Sequence, residues 1–130
     1  MSMLFVYGTL LRGQPAWTLI QDKIRSYQSA TVVGRLFSIE DQYPGFVRQG
    51  TDLVCGALIE LIDDNLFAVL DRYEGPEYRR IIVEVILPNE MTDAWTYELV
   101  ADPRPTTRIP GGNWVEYIGR SDPRKNKRFR

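Results

Sequence analysis

No histidine occurs anywhere in this chain, and that narrows the chemistry open to it. Ser-His and Cys-His nucleophile pairs, the usual zinc sites and histidine-ligated haem all require an imidazole. Carboxylates, lysine, tyrosine, one cysteine and backbone dipoles remain. Two segments combine such groups with unusual spacing. In Leu70-Asp71-Arg72-Tyr73-Glu74-Gly75-Pro76 a glutamate falls at the expected end of a helix, just ahead of a Gly-Pro break. A helix C-terminus carries partial negative charge, so a carboxylate there is locally disfavoured. Partial burial at that position would raise the Glu74 pKa toward the range useful for proton transfer. In Val6-Tyr7-Gly8-Thr9-Leu10 a strand ends in glycine. Glycine tolerates φ > 0 and a close approach to its backbone, so the amides that follow can converge on an anion as a nest. A plain strand-to-loop turn would use the same residues. The segment is neither a P-loop nor a dinucleotide fingerprint, lacking both spacings.

The other carboxylates read differently. Glu77 follows Pro76 and is expected in a solvated loop, Glu84 on a strand face as a cross-strand ion-pair partner, and Asp71 beside Arg72, Arg79 or Arg80. Cys55 shares a strand face with Ala57 and Ile59 and reads as a small core residue. As a nucleophile it would want an activating base, and no histidine exists to serve.

These residues need elements to hold them. Met3 to Tyr7 is a short apolar run of β-formers, a buried strand. Gly13, Gln14 and Pro15 open a short helix through Ile20. Residues 30–39 read as a second strand, with Gly34 marking a bulge or close backbone approach, and Tyr43-Pro44-Gly45 as a turn. Leu53 to Ile62 is apolar on both faces, as in a barrel wall or a covered sheet. Asp63-Asp64-Asn65 offers caps for a helix with Leu66, Phe67, Leu70 and Tyr73 at helical spacing, ending near Gly75-Pro76. Ile81 to Leu87 and Ala94 to Val100 alternate as strands, and Trp114 to Gly119 closes the domain after a Pro- and Gly-rich loop. Several strands with two short helical pieces define an α+β domain, a small, partly closed barrel.

The 130 residues fit one domain, and an apolar fraction of 44% with a charged fraction of 25% is ordinary for a globular chain. Net charge is −1, so no global field draws the protein to nucleic acid or anionic membrane. Residues 120–130 are basic, with Arg120, Arg124, Lys125, Lys127, Arg128 and Arg130 against Asp122 alone. That tail reads as a solvated terminus, since Phe129 by itself offers no stacking platform for a nucleic acid. The single Cys55 fits a reducing compartment. The N-terminus does not read as a signal peptide, and every apolar run falls short of the ~20 residues of a membrane span. A cytoplasmic protein is expected.

Taken together, the segments resemble the γ-glutamylcyclotransferase-like family. The likeness runs from Val6-Tyr7-Gly8-Thr9-Leu10 with Arg12-Gly13, through Gly34-Arg35-Leu36-Phe37 and Tyr43-Pro44-Gly45. It continues in Val54-Cys55-Gly56-Ala57-Leu58, Leu70 to Gly75, Tyr78-Arg79-Arg80, Ala94-Trp95-Thr96-Tyr97 and Gly111-Gly112-Asn113-Trp114. It implies a small β-barrel with short flanking helices and one cavity, over residues 1–119. It implies that the backbone of Tyr7, Gly8, Thr9 and Leu10 cradles substrate, that Glu74 is the catalytic acid/base and that Tyr78 lines the pocket. The implied reaction takes a γ-glutamyl amine or γ-glutamyl amino acid and releases 5-oxoproline, with no metal or cofactor needed, a small-molecule substrate as partner, and neither nucleic acid nor membrane expected. A non-catalytic binding module on the same fold is the alternative. Two departures from the family pattern bear on specificity: Ala16-Trp17 where a polar residue is common, and Asn113 where Asp is common.

Overall fold

The structure, a computed structural model, describes residues 2–100 and 107–121. Among them six strands and two α-helices follow in the order β1 (Met3–Val6), β2 (Ile24–Ile39), β3 (Tyr43–Leu61), α1 (Leu66–Glu74), β4 (Tyr78–Ile86), β5 (Met91–Leu99), β6 (Thr107–Arg108) and α2 (Trp114–Ser121). A 3₁₀ turn at Trp17–Leu19 interrupts the long connection from β1 to β2. Five strands close a ring in which β1 pairs with β3, β3 with β2, β2 with β4, β4 with β5, and β5 with β1. Two of those joints are single bridges, Thr31 to Ile86 and Leu4 to Trp95. The barrel expected from the sequence is therefore present, with two thin seams.

Hydrophobic pattern explains the ring. Alternate residues of a strand point to opposite faces, and one set fills the barrel: Phe5, Tyr7, Val32, Phe46, Val54, Leu58, Val85 and Ala94. The other set, Leu4, Val6, Ala57, Ile59, Leu61 and Tyr97, forms a second core with Leu10, Ile20, Phe67 and Leu70. The β1–β2 connection and α1 thus lie against the barrel's outer wall. Ala57, Leu58 and Ile59 are buried on both faces, as the apolar run predicted, whereas Leu53 at its start is 53% exposed.

The β2–β3 hairpin is longer than the sequence suggests. Strand β2 begins at Ile24 and runs 16 residues, and β3 runs 19. The polar stretch Arg25 to Ser29 hides its strand character because several of those side chains face solvent. Tyr43-Pro44-Gly45 is the start of β3 and not a turn; the chain reverses at Glu40 and Asp41, both at positive φ. The register slips at Gly34, whose partner is Asp52 while Arg35 pairs with Val47. A Cβ on Gly34 would stand 2.4 Å from the Phe46 ring, so the bulge and the close approach coincide at that residue.

Helix α1 ends where the sequence indicates. Gly75 adopts φ 78° and its amide bonds the Asp71 carbonyl at 3.1 Å, leaving Glu74 as the last helical residue. Asn113 caps α2, its Oδ1 accepting the Glu116 amide at 3.0 Å. Asn and Asp are equally good caps, so the Asn113 departure is structurally conservative. Arg120 and Ser121 end α2; the rest of the basic tail lies outside the described residues. Among the described residues no helix is long and apolar enough to cross a membrane.

Candidate active site

A cavity of about 440 Å³ opens between the end of β1, the start of β3 and the junction of α1 with β4. Its wall includes Tyr7, Gly8, Thr9, Leu10, Glu74 and Tyr78, so the structure brings all six candidate site residues to one place. Phe5, Val6, Pro15, Gln42, Tyr43, Pro44, Tyr73, Glu77 and Tyr97 complete the lining.

The turn after β1 is held from below and from the side. Leu11 donates its amide to the Gly8 carbonyl at 3.0 Å, and Ala16 to the Thr9 carbonyl at 2.8 Å. The hydroxyls of Thr9 and Tyr73 share a hydrogen bond of 2.8 Å, which ties the turn to the residue preceding Glu74. Among the described residues the amides of Gly8, Thr9 and Leu10 meet no protein acceptor, and unpaired amides beside a cavity are ready donors to an anion. Of the two reasons the sequence offers for Gly8, the structure bears out the close approach and not the backbone angle. Its φ is not positive; instead a Cβ would stand 2.3 Å from Cγ of Pro44. The glycine lets the first residues of β3 close over the turn.

Glu74 sits on the last turn of α1 with its carboxyl toward the cavity and only partly exposed. Burial lifts its pKa from 4.5 to about 7. That is the value a general acid/base needs near neutral pH. Neighbouring phenols respond to its charge. Tyr7 and Tyr78 are both raised, by burial first and then by Glu74.

The resemblance assigns the backbone of Tyr7 to the substrate, and the structure engages its side chain within the fold. Its hydroxyl donates to the Tyr97 carbonyl at 2.7 Å and accepts the Phe46 amide at 3.2 Å. The phenol is a brace between β5 and β3 at the cavity floor, and its backbone leads into the turn. Tyr78 donates to the Pro44 carbonyl at 2.8 Å, which fixes its ring against Tyr43.

A second group of residues positions α1. Arg80 lies over the rings of Phe67 and Trp95, at 4.6 and 4.5 Å, and makes paired bonds of 3.0 and 3.2 Å to Asp71. Tyr97 donates to the same carboxylate at 2.6 Å. Burial pulls the Asp71 carboxyl upward, but those bonds outweigh it and hold the pKa low. Asp71 thus serves as an arginine partner, as its spacing suggested, with Arg80 as the arginine.

Sequence reasoning missed Glu98, a buried carboxylate on β5. It accepts the Arg48 amide at 2.9 Å, the Arg48 Nε at 3.2 Å and the Arg79 Nη2 at 3.3 Å. Burial raises its pKa and these bonds more than reverse the effect. No motif marks it; only the pairing of β5 with both β3 and β4 assembles its partners. Glu84 lies exposed opposite Asp93 and pairs with no arginine among the described residues. Cys55 is half-buried, its amide bonded to the Gly112 carbonyl at 2.7 Å, so it is not the core residue expected. Ala16 and Trp17 lie off the cavity: Ala16 is buried in the outer core, and Trp17 packs edge-on against Tyr27. No three His, Cys, Asp or Glu side chains among the described residues converge as a metal-binding set.

Residues 4–116 match the protein family described as gamma-glutamyl cyclotransferase, AIG2-like. The chain is 34% identical over 86 residues to AIG2-like protein C of Arabidopsis thaliana, covering 65% of this chain and 49% of that protein. It is 28% identical over 124 residues to the gamma-L-glutamyl-butirosin B gamma-glutamyl cyclotransferase of Niallia circulans, covering 90% and 78%. The chain spans about half the length of the Arabidopsis relative. Among solved structures it superposes on YkqA from Bacillus subtilis with a TM-score of 0.77 at 25% identity, covering 92% of this chain and 42% of that one. An AIG2-like protein from Mus musculus gives 0.67 at 24%, covering 79% and 80%, a likeness of fold.

Proposed function

This chain belongs to the gamma-glutamyl cyclotransferase, AIG2-like family, and from that premise we propose that its cavity cyclises γ-glutamyl amides to 5-oxoproline. The observation that carries the reading is a carboxyl with a pKa of about 7 facing the same cavity as the free amides of Gly8, Thr9 and Leu10. The amides hold the substrate's α-carboxylate or the oxyanion that develops on the γ-carbonyl. Glu74, ionised, takes a proton from the α-ammonium. The freed amine attacks its own γ-carbonyl, forming the new C–N bond of a five-membered ring. Collapse of the tetrahedral intermediate breaks the original C–N bond. Glu74 returns its proton to the leaving nitrogen, and the ring nitrogen gives its second proton to the departing amine or to water, which leaves the neutral lactam. Ring closure is intramolecular, so orientation supplies much of the rate. Tyr7 and Tyr78, both hydrogen-bonded to backbone, keep the walls rigid around it.

The test is product analysis in oxygen-labelled water with a simple γ-glutamyl amine. Cyclisation yields unlabelled 5-oxoproline and the free amine. Labelled glutamate formed directly from the substrate would mean that water, and not the α-amine, is the nucleophile.

A further inference from the structure

We propose that the mouth of this cavity selects γ-glutamyl amides whose leaving amine carries a second, positive charge, with Glu77 as the recognising carboxylate. The inference rests on the cyclotransferase reading and adds the charge of the leaving group to it.

The cavity is polarised from floor to mouth. Its floor is the buried Phe5, Tyr7 and Tyr97, with Glu74 and the Gly8 turn beside them. Those groups engage the glutamyl end of the substrate, so the leaving group extends toward the outer lining: the exposed Gln42, Tyr73 and Glu77 and the half-buried Tyr43. Among the described lining residues the only charged side chains are Glu74 and Glu77, and neither Lys nor Arg takes part. The nearby arginines are occupied elsewhere, Arg80 by Asp71 and both Arg48 and Arg79 by Glu98. Glu77 is exposed and accepts a bond of 3.3 Å from the Tyr43 hydroxyl, which orients its carboxylate at the rim. The field at Tyr43 is negative: after burial, Glu77 and then Glu40 raise its pKa.

An α-amino acid as leaving group would bring a carboxylate into this rim and meet only like charge. A neutral alkylamine would meet the tyrosine rings alone. An amine bearing an ammonium further along meets the Glu77 carboxylate and the faces of Tyr43 and Tyr73, a pairing that charge and cation–π attraction both favour.

The experiment compares three γ-glutamyl amides of similar length, made from diaminobutane, pentylamine and aminobutyrate, with cationic, neutral and anionic tails. Each is assayed for 5-oxoproline release and, separately, for binding to the wild-type protein by calorimetry. We expect kcat/KM to favour the cationic tail over the neutral one by about three- to tenfold and over the anionic one by more, with the preference shrinking as salt is raised. In Glu77→Gln, an exposed substitution whose folding circular dichroism verifies, the cationic-to-anionic ratio falls toward unity. Equal kcat/KM for all three tails, or a ratio unchanged in Glu77→Gln, overturns the inference and leaves cyclisation standing. If none of the three releases 5-oxoproline, the binding order decides. A cationic preference that Glu77→Gln removes upholds recognition by charge while cyclisation fails. Binding without that order, or no binding, overturns the inference as well.

Discussion

At the scale of single residues, Glu74 carries two expectations with opposite signs. Its folded pKa of about 7 stands above the ordinary 4.5. As general base it must be ionised, so kcat/KM rises with pH along a limb centred near 7, and Glu74→Gln abolishes the limb with a fall of ~10²–10⁴-fold in rate. Stability moves the other way. Below the ordinary carboxyl pKa Glu74 is protonated in folded and unfolded chains alike. As pH rises toward 7 the unfolded chain releases the proton and the folded chain retains it, so stability falls across that window. Denaturant unfolding at pH 8 should therefore find Glu74→Gln more stable than wild type, by about 1–3 kcal/mol. A variant no more stable than wild type at pH 8 would show that the carboxyl is not desolvated. Gly8 carries a steric expectation. A methyl group there would sit 2.3 Å from Cγ of Pro44. Gly8→Ala should therefore lose about 1–3 kcal/mol of stability, the usual cost of overpacking. It should also weaken substrate binding, read as a raised KM.

At the scale of elements, α1 must be pinned for Glu74 to face the cavity. The pins are Arg80 to Asp71, Tyr97 to Asp71, and Tyr73 to Thr9. Asp71 lies one turn before Glu74 and touches no cavity group other than Tyr97, so it is a positioning residue. Asp71→Ala leaves Arg80 over its two rings and frees the end of the helix. We expect a loss of about 1–2 kcal/mol in denaturant unfolding and a lower kcat. The activity pKa should also shift, because Glu74 becomes more exposed to water. A stability loss with an unaltered pH profile would separate the clamp from the site. Glu98 supplies a contrasting acid sensitivity. Its folded pKa is depressed, so its contribution is present above the ordinary carboxyl pKa and disappears as pH falls through the folded value. Acid titration of Glu98→Gln should show less of the stability lost below pH ~4 than wild type.

At the scale of the whole molecule, family membership covers residues 4–116, and every residue assigned to the site lies inside that span. Removing residues 122–130 should leave kcat/KM for a γ-glutamyl amide unchanged, and a large fall in a folded truncation would bring the basic tail into the site. Local chemistry was legible without the fold wherever it is written in neighbours along the chain. The stop of α1 at Gly75, the alternation of β4 and β5, the missing imidazole and the Tyr7-to-Leu10 and Glu74 motifs are of that kind, because propensity and short spacing act over a few residues. Contacts between distant segments were not legible. Pro44 capping Gly8, Tyr97 bound to Asp71, Glu98 shared by two arginines, and Tyr7 bracing two strands all join residues far apart in sequence, whereas Arg80, near Asp71 in sequence, was among its expected partners. The long polar start of β2 escaped for the same reason, since register is set by what lies across the sheet; the bulge at Gly34 was legible from the glycine, but not the partners it brings opposite each other. The sequence alone thus determined which residues could do chemistry and the kind of domain that bears them. Only the tertiary structure decided which carboxylate is desolvated in a cavity and which is neutralised by arginine, because desolvation and charge pairing depend on distances that barrel closure creates.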